Sequence, residues 1–275
     1  MSVYSKNKLN INAQNEAWYK IFNLIPEDKN ILDIGCSSGN LGAVLIREKN
    51  AKVFGVDIDK KDVNLAKKQL TEAKVVDLEK DDFSDLGKFD LVIMADVIEH
   101  LVDPVAVLKK IKKNLKKNGI FIFSVPNMAN STIRIHLLSG RFEYKDWGLL
   151  DKTHIHFYDY NQLNKVFNEA GYEVVHMDNT IRQIPKNILK KELEKIGLDL
   201  SESFYQHMLE PESITYQFIG VAKVSDISAD MKLATTSSLD CINEEIDGIR
   251  KLNQDEIDRH RDIISSLQAT IKERE

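Results

Sequence analysis

The stretch "ILDIGCSSGN", residues 31–40, decides how the chain is read. An apolar run of strand type carries an acid, Asp33, just ahead of a loop with Gly35 and Gly39, and the helical pattern "LGAVLIREK" follows. Strand, glycine loop and helix in that order open a βαβ unit, where ligands bind beyond the carboxyl ends of the strands. A dinucleotide site spaces its glycines G-x-G-x-x-G so that a pyrophosphate can reach the helix N-terminus. Here Ser37 stands at the middle glycine position, and the Asp33 carboxylate would repel a pyrophosphate and welcome a cation.

Outward from that loop, apolar β-branched runs alternate with helical patterns, the signature of a mostly parallel sheet. "NILDIG", "KVFGVDI", "AKVVDL", "FDLVIMADV" and "GIFIFSVP" read as five strands, with helices "LGAVLIREK", "DVNLAKKQL" and "PVAVLKKIKKNL" among them. In the last of these, Val107, Leu108, Ile111 and Leu115 share a core face opposite solvated lysines. After Pro126 the alternation breaks into a His-, Arg- and aromatic-rich segment, then the helix "NQLNKVFNEAG" with Gly171 as its stop. Two late strands, "YEVVHMD" and "TYQFIGVAKV", flank a helical insert from about Pro185 to Leu209 and suggest an antiparallel pair at the sheet edge.

The domain expected over residues 1–224 is followed by a small, polar linker over 225–240 and a helix over 241–275. That helix carries Ile257, Ile264 and Ile271 at seven-residue intervals, with Ile246, Asn253, His260 and Leu267 on the offset positions of a heptad seam. The expectation is a coiled coil that makes a homo-oligomer and continues past "IKERE"; an amphipathic helix packed on its own domain is the alternative. A net charge of −5 over 275 residues argues against a general nucleic-acid partner. Cys36 and Cys241 form neither a disulfide framework nor a zinc motif, which suggests a reducing, cytoplasmic setting. No apolar run approaches a membrane span, so membrane association is expected to be peripheral at most.

S-adenosylmethionine, with its sulfonium and α-ammonium, is the cation that fits Asp33, and Gly35 and Gly39 would let its methionine and ribose parts pass closely. Asp57, ending "VFGVD", is placed for the ribose diol. Ile58 would flank the adenine, and Asp77, with Leu78 beside it, would reach the exocyclic amine. Ala95, Asp96 and His100 in "ADVIEHL" return the chain over the pocket. Together "ILDIGCSSGNLG", "VFGVDID", "DLVIMADVIEHLVDP" and "GIFIFSVPN", spanning roughly residues 20–180, resemble a class I S-adenosylmethionine-dependent methyltransferase. The resemblance implies a Rossmann-like, seven-stranded sheet flanked by helices, and S-adenosylmethionine as cofactor.

The segment from Pro126 to Gly171, through Arg134, "LLSGRF", "GLLDKTHIHFY" and "AGY", resembles bacterial methyltransferases of cell-surface glycan assembly. That implies a sugar hydroxyl as acceptor, free, nucleotide-linked or lipid-linked; "ADVIEHLVDP" also resembles ubiquinone-type O-methyltransferases, which implies a quinol or phenol instead. A sugar hydroxyl needs its proton removed, and histidine titrates in the useful range. His154 is the expected base, with Asp151 fixing its tautomer; His156 and His100 are the other candidates. Arg134 and Arg141 would meet a phosphate, or pair with surface acids, while Tyr144, Phe142 and Trp147 would wall a sugar or pack the loop. No metal is expected, because Asp96, Asp151, His154 and His156 sit in no recognised ligand spacing. A non-catalytic S-adenosylmethionine-binding assembly module is the competing class of function.

Overall fold

A computed structural model describes residues 13–225. The linker beyond Ser225 and the heptad helix lie outside the described residues. The described elements are α1 (Ala17–Leu24), β1 (Asn30–Ile34), α2 (Asn40–Lys49), β2 (Lys52–Asp57), α3 (Lys60–Ala66), β3 (Glu72–Val75), β4 (Phe89–Ala95), α4 (Pro104–Ile111), β5 (Leu115–Pro126), α5 (Ser131–Leu138), α6 (Tyr160–Glu169), β6 (Tyr172–Ile181), α7 (Lys186–Glu194), α8 (Glu202–His207), α9 (Pro211–Ile214) and β7 (Thr215–Val224). Seven strands form one sheet in the order β3-β2-β1-β4-β5-β7-β6. The ladders from β3 to β5 are parallel, and β7 runs antiparallel to both β5 and β6.

The strands need apolar residues on both faces because helices cover both. Along β4, Val92 and Met94 join the core under α4 and α6, whereas Leu91 and Ile93 join the core under α1, α2 and α3. In β5, Phe121, Phe123 and Val125 face the first core, and Ile122 the second. A strand period of two therefore sorts one continuous apolar run into two cores. Val107, Leu108, Ile111 and Leu115 are all buried in the first, as their spacing predicts.

Punctuation residues set the boundaries. Asp103 caps α4 by accepting from the Ala106 N–H, with Pro104 in the first turn, so "VDP" is a helix start. Asp159 caps α6 in the same way through the Gln162 N–H, and Gly171, at φ 75°, turns the chain out of that helix into β6. The late strands do form an antiparallel pair, but β7 inserts between β5 and β6 and leaves β6 at the edge. From β1 the chain proceeds one way to β2 and β3, then crosses back to β4 and β5. Ligands bind at such a switch point in open α/β sheets. Among the described residues no helix is long and apolar enough to cross a membrane.

Candidate functional site

A cavity of about 430 Å³ opens beyond the carboxyl ends of β1, β2, β3 and β4. Of the residues expected to bind the cofactor, Asp33, Gly35, Ser37, Asp57, Ile58, Asp77, Leu78, Ala95, Asp96 and His100 line it, and Gly39 does not. The lining also includes Trp18 from α1, Asp62 from α3, and Asn40, Glu79, Val97 and Leu101. Trp18 and Asp62 lie outside the motifs, so periodicity gave them no mark as site residues.

The glycine loop is built around backbone conformations that L side chains resist. Gly35, Ser37 and Gly39 have φ of 73°, 47° and 86°. A Cβ on Gly35 would meet Val97 Cγ2 at 2.4 Å, and one on Gly39 would meet the Ala66 backbone at 3.1 Å. Gly39 is the residue before α2 and packs that helix against α3. The protein's own packing thus needs both glycines, independently of any ligand that passes them.

Asp57 accepts hydrogen bonds from the Ser37 N–H through Oδ2 (2.8 Å) and from the Asp59 N–H through Oδ1 (2.9 Å), which ties the end of β2 to the glycine loop. Ser37 Oγ donates to Asp62 Oδ2 (2.9 Å), while Asp62 Oδ1 is buried without a hydrogen-bond partner. Asp33 is 4% exposed. Burial, reinforced by the charge of Asp57, pushes its carboxyl up to about 7. A site that holds a buried carboxyl at that cost favours a cationic ligand, which would stabilise the ionised form.

Two other acids are less available than the sequence suggests. Asp77 accepts from the Glu79 and Lys80 N–H groups through Oδ1 and pairs with Lys80 Nζ through Oδ2 (2.8 Å), and the Lys80 bond holds its carboxyl below the usual range. Asp96, in the left-handed region at φ 55°, accepts from Ser124 Oγ (3.0 Å) and from Gln217 Nε2. Its carboxylate is spent on β5 and β7, and burial raises its pKa.

The far wall of the cavity is His100, in a single turn of 3-10 helix over Ile98–His100. The His154 ring packs edge-on against it, centroids 4.8 Å apart, and His154 is itself 6% exposed and not part of the lining. Two backbone bonds bring these distant segments together, as the N–H groups of Ile155 and His156 donate to the Glu99 carbonyl (3.0 and 3.1 Å). His154 Nδ1 stands 3.3 Å from the Leu149 carbonyl, which can only accept, so that carbonyl fixes the tautomer in the place expected for Asp151. Asp151 Oδ1 instead accepts from the Thr153 N–H (2.8 Å) and Oγ1 (2.6 Å) and shapes the turn on which His154 sits. Burial, then the neighbouring His100, lowers the His154 pKa and keeps its ring neutral. His156 points elsewhere, with Nε2 3.3 Å from the Val102 carbonyl and its ring stacked on Tyr158.

Beside the two imidazoles lies Glu99, a residue the sequence pattern did not single out. It is 1% exposed, neither carboxyl oxygen has a hydrogen-bond partner, and Oε1 is 3.9 Å from His154 Nε2. Burial, then Asp96, drives its pKa well above the usual carboxylate range. Since His154 shifts down and Glu99 up, the contact is not an ion pair despite its distance. The nearest ligand atoms of Glu99, His100 and His154 lie within 4.8 Å of one another. Of the four residues weighed in the sequence as metal ligands, only His154 belongs to this group; Asp96, Asp151 and His156 lie outside it.

The residues expected to hold an acceptor are largely committed to the chain itself. Arg134 donates through Nε to the Ala129 carbonyl (2.5 Å) and has Glu212 3.8 Å away; Arg141 pairs with Glu192 of α7. Phe142 packs edge-on to Phe157 and Tyr144. Tyr144 and Trp147 remain exposed, Trp147 at 62%.

A family profile described as "Methyltransferase domain" matches residues 13–177, more than half of the chain. A ubiquinone biosynthesis O-methyltransferase of Pelagibacter ubique (strain HTCC1062) is 32% identical over 136 residues, 46% of this chain and 55% of that protein. One from Histophilus somni (strain 2336) is 26% identical over 172 residues, 58% of this chain and 67% of that protein. The chain spans about half the length of most of the curated relatives it matches. In structure, a SAM-dependent methyltransferase from Archaeoglobus fulgidus superposes with a TM-score of 0.55 at 15% identity, covering 78% of this chain and 94% of that one.

Proposed function

Since the chain belongs to the methyltransferase-domain family, we propose that it takes a methyl group from S-adenosylmethionine, that the acceptor is an oxygen and that a sugar hydroxyl supplies it. One observation carries this reading. His100 lines the cavity that suits a cationic cofactor and also belongs to the polar group of Glu99, His100 and His154, which supports an acceptor approaching from that side. The reaction is an in-line displacement: the acceptor oxygen bonds to the methyl carbon as the carbon–sulfur bond breaks, its electron pair passing to sulfur. Holding oxygen and methyl at contact distance provides much of the acceleration.

The hydroxyl must also lose its proton. His154 is neutral, and with Nδ1–H directed to Leu149 its Nε2 lone pair is free to accept. That supports His154 as base and makes Asp151 a positioning residue acting through the 151–154 turn. Exposed Tyr144 and Trp147 offer flat faces for a saccharide, consistent with a role in building a bacterial surface glycan on a nucleotide- or lipid-linked acceptor. The setting proposed is cytoplasmic, with assembly into a homo-oligomer through the heptad helix.

A second reading has its own support, since the curated relatives are named for methyl transfer in ubiquinone biosynthesis; here the acceptor is a quinol or phenol. The deciding experiment is transfer of labelled methyl from S-adenosylmethionine to a panel of glycosides and nucleotide-sugars beside a catechol and a quinol analogue. Label on a glycoside is the expected result. Label on the phenols alone would establish the second reading.

A further inference from the structure

We infer that Glu99, His100 and His154 form a binding site for a first-row divalent cation of borderline softness, of the zinc, iron(II) or cobalt(II) type. The argument rests on what the three side chains present to one another. His100 Nδ1 is 3.0 Å from the Thr153 carbonyl, and His154 Nδ1 is 3.3 Å from the Leu149 carbonyl. A carbonyl only accepts, so both rings carry their proton on Nδ1 and leave Nε2 bare. His154 Nε2 and Glu99 Oε1 stand 3.9 Å apart. The group thus collects two imidazole lone pairs and a carboxyl group whose two oxygens are both unpartnered.

Such an arrangement is unfavourable when it is left to itself. Buried polar atoms are ordinarily hydrogen-bonded, yet both Glu99 oxygens lack a partner at 1% exposure. A cation, taking the place of the carboxyl proton, engages all three groups at once. Ligand atoms around a metal with bonds of roughly 2.0–2.2 Å lie about 3–4 Å apart; His154 and Glu99 stand at 3.9 Å, and the group as a whole, within 4.8 Å, closes in by several tenths of an ångström on binding. Carbonyls that fix the Nδ1–H of each ligating ring are the outer partners a metal-bound histidine usually has. Two imidazoles and one carboxylate on one side of an ion, with the other positions open, favour a borderline metal over magnesium, which prefers oxygen.

The site deepens the proposed oxygen methylation and rests on it for its role. His100 is shared between the cluster and the cofactor cavity, so open coordination positions would face the transferring methyl. An acceptor hydroxyl bound there is acidified by the cation and releases its proton to solvent. Its oxygen then bonds to the methyl carbon as the carbon–sulfur pair returns to sulfur. His154 Nε2 serves as a ligand in this arrangement, and metal coordination takes over the work of the base.

The test reads metal binding without any acceptor, so it is independent of which hydroxyl is methylated. The full chain is stripped with chelator and titrated with cobalt(II). The expected result is one equivalent bound, with visible d–d absorption and two hyperfine-shifted, exchangeable imidazole N–H resonances in the proton spectrum, one per ligating histidine. Glu99→Gln and His154→Ala are each expected to weaken binding by more than about tenfold while S-adenosylmethionine still binds by calorimetry. Should either variant fail to bind the cofactor, the two wild-type resonances decide alone. Absence of stoichiometric cobalt, or binding unchanged in the double variant, overturns the site. Methyl transfer at the full rate in chelator would overturn its part in the reaction and leave the methyltransferase reading intact.

Discussion

The two halves of the site are built in opposite ways. The side proposed for the cofactor draws most of its acids and its glycines from short segments between residues 33 and 79, and its shape is held by backbone conformation, at Gly35, Ser37 and Gly39, and by the short tie from Asp57 to Ser37. The corner proposed for the acceptor joins residues 99–100 to residues 149–156 across some fifty positions, through two backbone bonds onto the Glu99 carbonyl. On the first side, local chemistry dictates geometry; on the second, geometry comes from where the fold brings two loops together. The first should therefore fail in binding and the second in turnover.

The largest effect is expected at the acceptor corner. His154→Ala should lower turnover by roughly 10²–10⁴ while leaving S-adenosylmethionine affinity close to wild type, whether the imidazole acts as base or ligand. Equal losses in cofactor affinity and turnover, by calorimetry and labelled-methyl assay, would merge the two halves and break the comparison.

Next comes the glycine loop. Gly35→Ala places a β-carbon 2.4 Å from Val97 Cγ2 in a conformation that costs an L residue about 1–2 kcal/mol. Cofactor affinity should fall about tenfold or more. Pairing it with Val97→Ala should restore part of that loss by relieving the contact, and leave the part due to φ. Full restoration would mean that the left-handed backbone carries no cost.

Asp33 gives a smaller, pH-dependent effect. In the free protein its carboxyl is raised to about 7 by burial and by the charge of Asp57, so folding takes up a proton between its unfolded value, about 3.9, and 7. Its contribution to stability is accordingly full below the unfolded value and is lost as pH rises through 7. Cofactor binding favours the ionised form, so affinity should drop up to about tenfold per unit below pH 7 and level off above it, with proton release visible as buffer-dependent binding heat. Asp33→Asn should flatten the profile. A flat profile in wild type would show that the carboxyl is already ionised before the cofactor arrives.

The contrast also explains what could be read from the sequence. "ILDIGCSSGN" and "VFGVDID" disclosed Asp33, Gly35, Ser37 and Asp57 because a strand end followed by a glycine turn has few possible shapes. The strand order near the edge was less legible, since nothing in "TYQFIGVAKV" shows that β7 slides between β5 and β6. Asn127 and Asn130 fix that junction through their side-chain amides, which donate to backbone carbonyls at Glu212, Ser213 and Thr215, and read in sequence as ordinary loop residues. Glu99 was hidden for a related reason: a glutamate between Ile98 and His100 looks like a surface position until burial is known. Its one local cue was an acid set among the apolar Val97, Ile98 and Leu101.

The smallest effect concerns the arginines, where a residue type suggested phosphate and the fold supplied other partners. Arg141 lies beside Glu192 on α7, and the two bonds Glu192 accepts, from Lys195 and then Arg141, hold its carboxyl below the usual range. Solvent-screened pairs of this kind contribute little to stability, so Arg141→Ala should shift the melting temperature by only a few degrees. If Arg141 serves only to tie the 139–147 loop to α7, turnover on a neutral glycoside and on a nucleotide-sugar should fall together and by less than about threefold. A loss confined to the KM of the phosphate-bearing acceptor would mean that Glu192 only parks the guanidinium until a phosphate displaces it. The acceptor half would then contain one element, like the glycine loop, whose chemistry was legible in its residue type alone.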